Sequence, residues 1–266
     1  MEMGKQADNT KTEGEVTFYE DEHIYIYEGE VFRRELMSVN KAISLFFPKF
    51  DPQKVIEKYY EKWQRDKTNK YYGMTKKEIK NLWEQRSEDA CKYGSMVHKE
   101  IENLFIGSKY GEYNEEQDYM NVTPEAEAFK KWFNQQWELG WRLWATEKIV
   151  YSEEYNIAGT VDLILYNDNL SSSREFKIVD FKTNDPESLH KEAYDYLKDP
   201  LHHLKASTME KYRLQLNTYS RLFDDRFPIK KEILNLNDET YMSVEVQDRS
   251  KETNIIFKTA QKKKHH

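Results

Sequence analysis

The chain has 266 residues, 38% hydrophobic and 14% aromatic, which is enough apolar material for a core and excludes wholesale disorder. A single cysteine, Cys91, excludes a disulfide framework and any four-cysteine iron–sulfur cluster or zinc site, and is expected of an intracellular, reducing compartment. No run approaches the ~18 apolar residues of a membrane span, and the net charge of −7 argues against a general nucleic-acid coat protein.

Charge is unevenly distributed. Residues 53–80 carry nine Lys/Arg against four Asp/Glu, whereas residues 112–127 carry six acidic residues and no basic one. Few glycines and prolines among long charged stretches favour a helix-rich α/β chain.

In chain order, residues 1–14 are polar and aperiodic and read as a flexible tail. Residues 15–260 read as one domain, with a hairpin and helical section at 15–90 and a core at 91–260, followed by a basic tail at 261–266. Val16–Tyr19 and His23–Tyr27, split by the acidic turn Glu20-Asp21-Glu22, form a β-hairpin. Ser38 caps a helix that stops before Pro48, and Asp51 caps another running from Pro52 to about Gln64. One helix starts near Thr75 and passes Trp83; a second covers Asp89 to Phe105. The acidic stretch from Lys109 to Asn121 is an exposed connection, after which Thr123-Pro124-Glu125 opens a long helix to Gly140. The period then changes to that of strands at Thr146–Tyr151, Gly159–Tyr166 and Glu175–Phe181, the last two joined by a turn over residues 167–173. A helix spans about Lys211–Phe223, and Tyr241–Val246 and Asn254–Phe257 read as closing strands.

Two of these strands carry carboxylates on otherwise apolar runs, Gly159-Thr160-Val161-Asp162 and Ile178-Val179-Asp180-Phe181-Lys182-Thr183. Side chains at i and i+2 of a strand share a face, so Asp180 and Lys182 project together while Val179 and Phe181 pack behind. Burying such groups is costly unless something binds them; a divalent ion between Asp162 and Asp180 would do so, although a structural ion pair is the plainer alternative. Hard cations such as Mg²⁺ and Mn²⁺ prefer carboxylate oxygens and support phosphodiester hydrolysis. Upstream, Gly94, His98 and Glu102 are spaced i, i+4, i+8 on one helix face, which offers either a metal ligand or ordinary helix packing. Downstream, Gln215 and Tyr219 share a helix face, with Arg213 nearby as a phosphate contact.

The ordered set Gly94/His98, Gly159–Asp162, Asp180-Phe181-Lys182-Thr183 and Gln215/Tyr219 resembles the PD-(D/E)XK nuclease superfamily, in particular its RecB-type branch, over about half of the chain. Ser38–Ile43 and Phe47–Asp51 also resemble single-strand exonucleases of large DNA viruses, phages and mitochondrial DNA maintenance. The resemblance implies a restriction-endonuclease-like fold, a central mixed sheet flanked by helices. It makes Asp162, Asp180 and His98 metal ligands, with the Val179 or Phe181 carbonyl adding another, Lys182 catalytic, and Gln215 and Tyr219 DNA-positioning. Glu147 and Glu102 are secondary acidic candidates. The four cluster-forming cysteines of some relatives are absent.

Aromatic and basic residues alternate at Tyr59–Lys70, a pattern suited to a single strand whose bases stack while its phosphates meet cations. Tyr59 and Trp63 read as core; Tyr71 and Tyr72, beside Gly73, read as stacking residues, with Lys67 and Lys70 as phosphate contacts. The expected function is a Mg²⁺- or Mn²⁺-dependent DNA nuclease, an exonuclease on single-stranded ends, in which the helical section folds over the active face. A structure-specific endonuclease, a non-catalytic nucleic-acid-binding relative and an interaction protein are the alternatives.

Overall fold

The computed structural model describes residues 10–30, 32–106, 123–168, 174–223, 228–238 and 240–263. The acidic connection from Lys109 to Asn121, most of the 167–173 turn, the first nine residues and the last three lie outside them. The fold is α/β: among the described residues, nine strands form one mixed sheet, with seven helices. No helix there is long and apolar enough to cross a membrane.

Four short strands lead, β1 (Thr10–Glu13), β2 (Val16–Tyr19), β3 (Ile24–Glu28) and β4 (Arg33–Ser38), each antiparallel to the next. Residues 10–13 are therefore an edge strand rather than part of a tail. Alternation buries Val16 and Phe18 on β2 and Tyr25 and Tyr27 on β3, which pack with Leu36, Ile149 and Ala158. Helix α1 (Val39–Ser44) follows, its Ser38 cap accepting from the Lys41 N–H.

Helix α2 (Pro52–Arg65) and the first turns of α3 (Lys76–Asn103) form a helical arm around Ile56, Tyr71 and Ile79. Sequence reading divides α3 in two; it is one helix of 28 residues, opened by a Thr75/Glu78 capping box. The reason is physical. Residues Glu84–Tyr93 are all exposed, so no buried face imposes an apolar period on this middle stretch, while its Glu, Gln, Arg, Ala and Lys keep high helix propensity.

The central strands are β5 (Arg142–Ser152), β6 (Ile157–Asn167) and β7 (Glu175–Lys182), antiparallel in succession. Helix α5 (Pro186–His190) and helix α6 (Thr208–Phe223) lead to β8 (Ile229–Asn237), parallel to β7, and β9 (Thr240–Glu245) closes the edge. Helix α7 (Ser250–Lys262) ends the described chain. Asn254–Phe257 belongs to α7 and not to a strand: the β-branched pair Ile255-Ile256 reads locally as strand, but Thr253, Ile256, Phe257 and Ala260 are buried at helical spacing.

The sheet is covered on both faces. Ile164, Phe176 and Ile178 pack against α1, α6 and α7, and Leu163, Leu165, Val179 and Phe181 against α4 (Pro124–Glu138) and the end of α3. Beneath α4 a buried polar group is fully engaged: Lys177 meets Gln136 at 2.6 Å and Glu232 at 3.1 Å, and Trp132 donates to Glu232. Burying such an ion pair is tolerable only with these partners in place.

Candidate active site

The site arises where the sheet loses its regular pairing. On one edge β6 pairs in parallel with β4 at Ile157 and Ala158, then with β7 only from Leu163 onward. Gly159-Thr160-Val161-Asp162 thus has no strand partner on that edge. The Asp162 carboxylate takes over part of the ladder, accepting the Phe181 N–H at 2.7 Å. On the other edge the β5–β6 ladder is interrupted opposite Asp162, because Glu147 adopts φ +47° between the paired Thr146 and Lys148. A left-handed non-glycine residue inside a strand costs about 1–3 kcal/mol, and here it turns Glu147 toward Asp162.

A cavity of about 580 Å³ opens at this break, lined by His98, Glu102, Glu147, Asp162, Asp180, Lys182, Gln215 and Tyr219. His98 Nδ1 lies 3.6 Å from Asp162 Oδ1 and 3.9 Å from Glu147 Oε1, and the donor atoms of these three residues are all within 4.8 Å of one another. Asp180 and Lys182 form an ion pair through Oδ2 and Nζ, with the ammonium 4.6 Å from the centre of the Tyr212 ring. Phe181 enters through its N–H, while its ring packs between His98 and Phe129.

Gln215 and Tyr219 reach the cavity from α6, where Gln215 Nε2 donates to the Tyr219 hydroxyl at 3.0 Å. Gly159 has a steric reason to be glycine: a Cβ there would lie 2.4 Å from Tyr219 Cε1. Gly94 does not, since its Cβ would meet only the Thr183 hydroxyl at 3.5 Å, an ordinary van der Waals distance.

Burial and charge oppose each other throughout. Burial pushes the carboxyls of Asp162 and Asp180 up against the pull of His98 and Lys182. Burial disfavours the Lys182 ammonium, but Asp180 and Asp162 more than restore it and raise its pKa. Asp180 thus favours the ammonium form of Lys182. Burial likewise opposes the His98 imidazolium, yet Asp162 and Glu147 outweigh it and push its pKa up to about 9.

Three sequence expectations fall elsewhere. Arg213 points away, bonding at 3.1 Å to the buried Glu210 in a separate depression shared with Arg249. Tyr71 is 7% exposed, its ring 4.7 Å from Trp63 and its hydroxyl accepting from Trp83 at 2.8 Å; it is core of the arm and not a stacking residue. Tyr72 is 45% exposed, and Lys67 and Lys70 are exposed on the same arm. Among the described residues no arm residue lines the cavity; its amino-terminal wall is Lys11, Phe18, Glu20, His23 and Tyr25 with Asn40 of α1, so the cover comes mainly from the amino-terminal strands and their turn, and only α1 of the helical section takes part.

That hairpin supplies what sequence reading missed. Lys11 on β1 places Nζ 3.0 Å from Glu102, 3.3 Å from Glu20 and 3.7 Å from Glu147. The Tyr25 hydroxyl lies 2.9 Å from Thr160 Oγ1 within the GTVD segment. The acidic turn Glu20–Glu22 was the available signal for Glu20; a four-residue polar edge strand offers none for Lys11.

Neither a family model nor a curated protein sequence matches the chain. Chains of known structure that do match include one described as "Crystal structure of SSO0001", 15% identical, with a TM-score of 0.39 over 86% of this chain and 75% of that one.

Proposed function

We propose that this protein is a divalent-metal-dependent nuclease that hydrolyses DNA phosphodiester bonds, related in its site to the PD-(D/E)XK enzymes. One observation carries the reading: His98, Glu147, Asp162, Asp180, Lys182, Gln215 and Tyr219, drawn from five separate elements, line a single cavity. The donor set fits Mg²⁺ or Mn²⁺. Ligands around one such ion at ~2.1 Å are at most ~4.2 Å apart; the His98 contacts at 3.6 and 3.9 Å fall within that limit, and the three donor atoms, spread within 4.8 Å of one another, require a small closure around an ion. Asp180 adds a buried carboxylate whose Oδ2 is ion-paired with Lys182.

His98, Glu147, Asp162 and Asp180 would hold the ion, with a Phe181 or Val179 carbonyl as a further oxygen donor. When bound, it supplies Lewis-acid activation of water and stabilisation of the leaving oxyanion. Lys182, kept protonated by Asp180, offers donors to charge developing on the phosphate. The Phe181 N–H fixes Asp162, so that carboxylate needs no reorganisation during the reaction. Gln215 and Tyr219 present polar groups where the strand's backbone would lie. The exposed Tyr72, Lys67 and Lys70 on the arm suit contact with a single strand outside the cavity, and exonuclease action on single-stranded ends is the form of the activity we propose.

The test compares wild type with Asp180→Ala and Lys182→Ala on end-labelled single- and double-stranded DNA, with Mg²⁺, Mn²⁺ or a chelator. Expected are metal-dependent shortening by wild type and at least ~100-fold loss in each variant. Equal cleavage by all three proteins refutes the assignment, and DNA binding without cleavage by wild type replaces it with a binding role.

A further inference from the structure

The deepest asymmetry of the cavity is a fixed cation at one end of it. Lys11 arrives from β1, 91 residues from Glu102 in sequence, and its ammonium stands among Glu20, Glu102 and Glu147 at 3.0–3.7 Å. Its side chain is only 24% exposed and Glu102 and Glu147 are 19% and 18% exposed, so this is an enclosed arrangement and not a surface ion pair of little worth. Glu147 belongs to both ends: Oε1 faces His98 and Oε2 faces Lys11. One carboxylate thus bridges the candidate metal position and the ammonium.

Two divalent ions bridged by one carboxylate are the usual plan of a two-metal phosphodiesterase site, with ions about 3.5–4 Å apart. Here the second position already holds a covalently tethered monovalent cation.

We propose that Lys11 is an internal counter-cation that fills the second cation position, so that the wild-type cavity takes one divalent ion and not two. The inference rests on the metal reading above. It also assigns β1 a positioning role: Lys11 holds the Glu147 carboxylate in its left-handed backbone setting for the ion that His98 and Asp162 share.

Calorimetric titration of the metal-free full chain with Mn²⁺ tests this, with Mn²⁺ electron paramagnetic resonance as a second count. Expected are one ion in wild type, two in Lys11→Met, and one again in Lys11→Arg, which restores the charge. Lys11→Gln serves if the methionine variant fails to fold by circular dichroism. A folded neutral variant that still binds one ion with wild-type affinity overturns the role of Lys11 alone, as do two ions in wild type. No Mn²⁺ bound by wild type overturns both this inference and the metal-dependent reading beneath it.

Discussion

Gly159→Ala joins the fold to the site in one substitution. The new Cβ would lie 2.4 Å from Tyr219 Cε1, 3.2 Å from Tyr219 Cζ and 3.2 Å from Val39 Cγ2. Carbon atoms pack best at 3.5–4.0 Å, so relief requires a shift of about 1 Å. Tyr219 is 4% exposed and Val39 fully buried, so the ring can yield only towards the cavity it lines, and overpacking of this kind costs about 1–3 kcal/mol. The same shift stretches the 3.0 Å bond from Gln215 to the Tyr219 hydroxyl, worth about 1 kcal/mol more. The total of about 3 kcal/mol corresponds to a fall in Tm of roughly 6–12 °C for a domain of this size. Urea denaturation of Gly159→Ala, Tyr219→Ala and the double variant measures it. Once the ring is gone, alanine at 159 loses its 2.4 Å clash and keeps the 3.2 Å approach to Val39, so its cost should fall by at least ~1 kcal/mol. A Gly159→Ala protein within ~0.5 kcal/mol of wild type, or an undiminished cost in the double variant, refutes this steric account.

Three further predictions concern charge and the arm. Asp162→Asn keeps an acceptor for the Phe181 N–H but removes a carboxylate whose ionisation burial opposes; in chelator it should melt no lower than wild type, and it should gain no Tm from Mn²⁺, both read by thermal denaturation. For His98 the folded pKa of about 9 lies above the ordinary 6.5, so its stabilisation is complete below about pH 6.5 and disappears as pH rises through about 9. At ~1.4 kcal/mol per pKa unit the ceiling is roughly 3 kcal/mol, reduced by solvent at a side chain 28% exposed; the stability gap between metal-free wild type and His98→Ala should close over that window, and a flat gap contradicts the shift. Tyr71→Ala should cost the arm about 3 kcal/mol or more, seen as faster hydrogen exchange in α2. Tyr72→Ala should leave stability unchanged and weaken single-strand binding by about 1–3 kcal/mol in fluorescence anisotropy; equal effects of the two changes contradict the separation.

Much of the candidate site was legible because it depends on local periodicity. Asp180 and Lys182 share a strand face, Gln215 and Tyr219 a helix face, and His98 lies on a helix packed against β7. The same arithmetic would have removed Arg213, which lies two residues from Gln215 and thus about 200° around α6. Tyr71 was misread because Gly73, two residues on, signals a loop, while its true partners, Trp63 and Trp83, lie on two different helices. Glu147 was found as an acidic residue, but its left-handed backbone, which interrupts the ladder opposite Asp162, has no local sequence signal. Lys11 was invisible since its role comes entirely from tertiary pairing of a short edge strand. Strands β4 and β8 escaped for a related reason: charged residues break their apolar alternation, and their place is fixed by β6 and β7.

Cleavage of a single-stranded oligonucleotide with phosphorothioate linkages, in Mg²⁺ and then in Mn²⁺, most directly tests whether this cavity hydrolyses phosphodiesters through a bound ion. A hard ion contacting a non-bridging oxygen should tolerate sulfur poorly, and the softer Mn²⁺ should tolerate it better. The predicted result is slow cleavage in Mg²⁺, restored at least ~10-fold relative to the all-oxygen strand in Mn²⁺, and lost with Asp180→Ala. An all-oxygen strand left uncut with either ion, or cut equally fast in chelator, would contradict it.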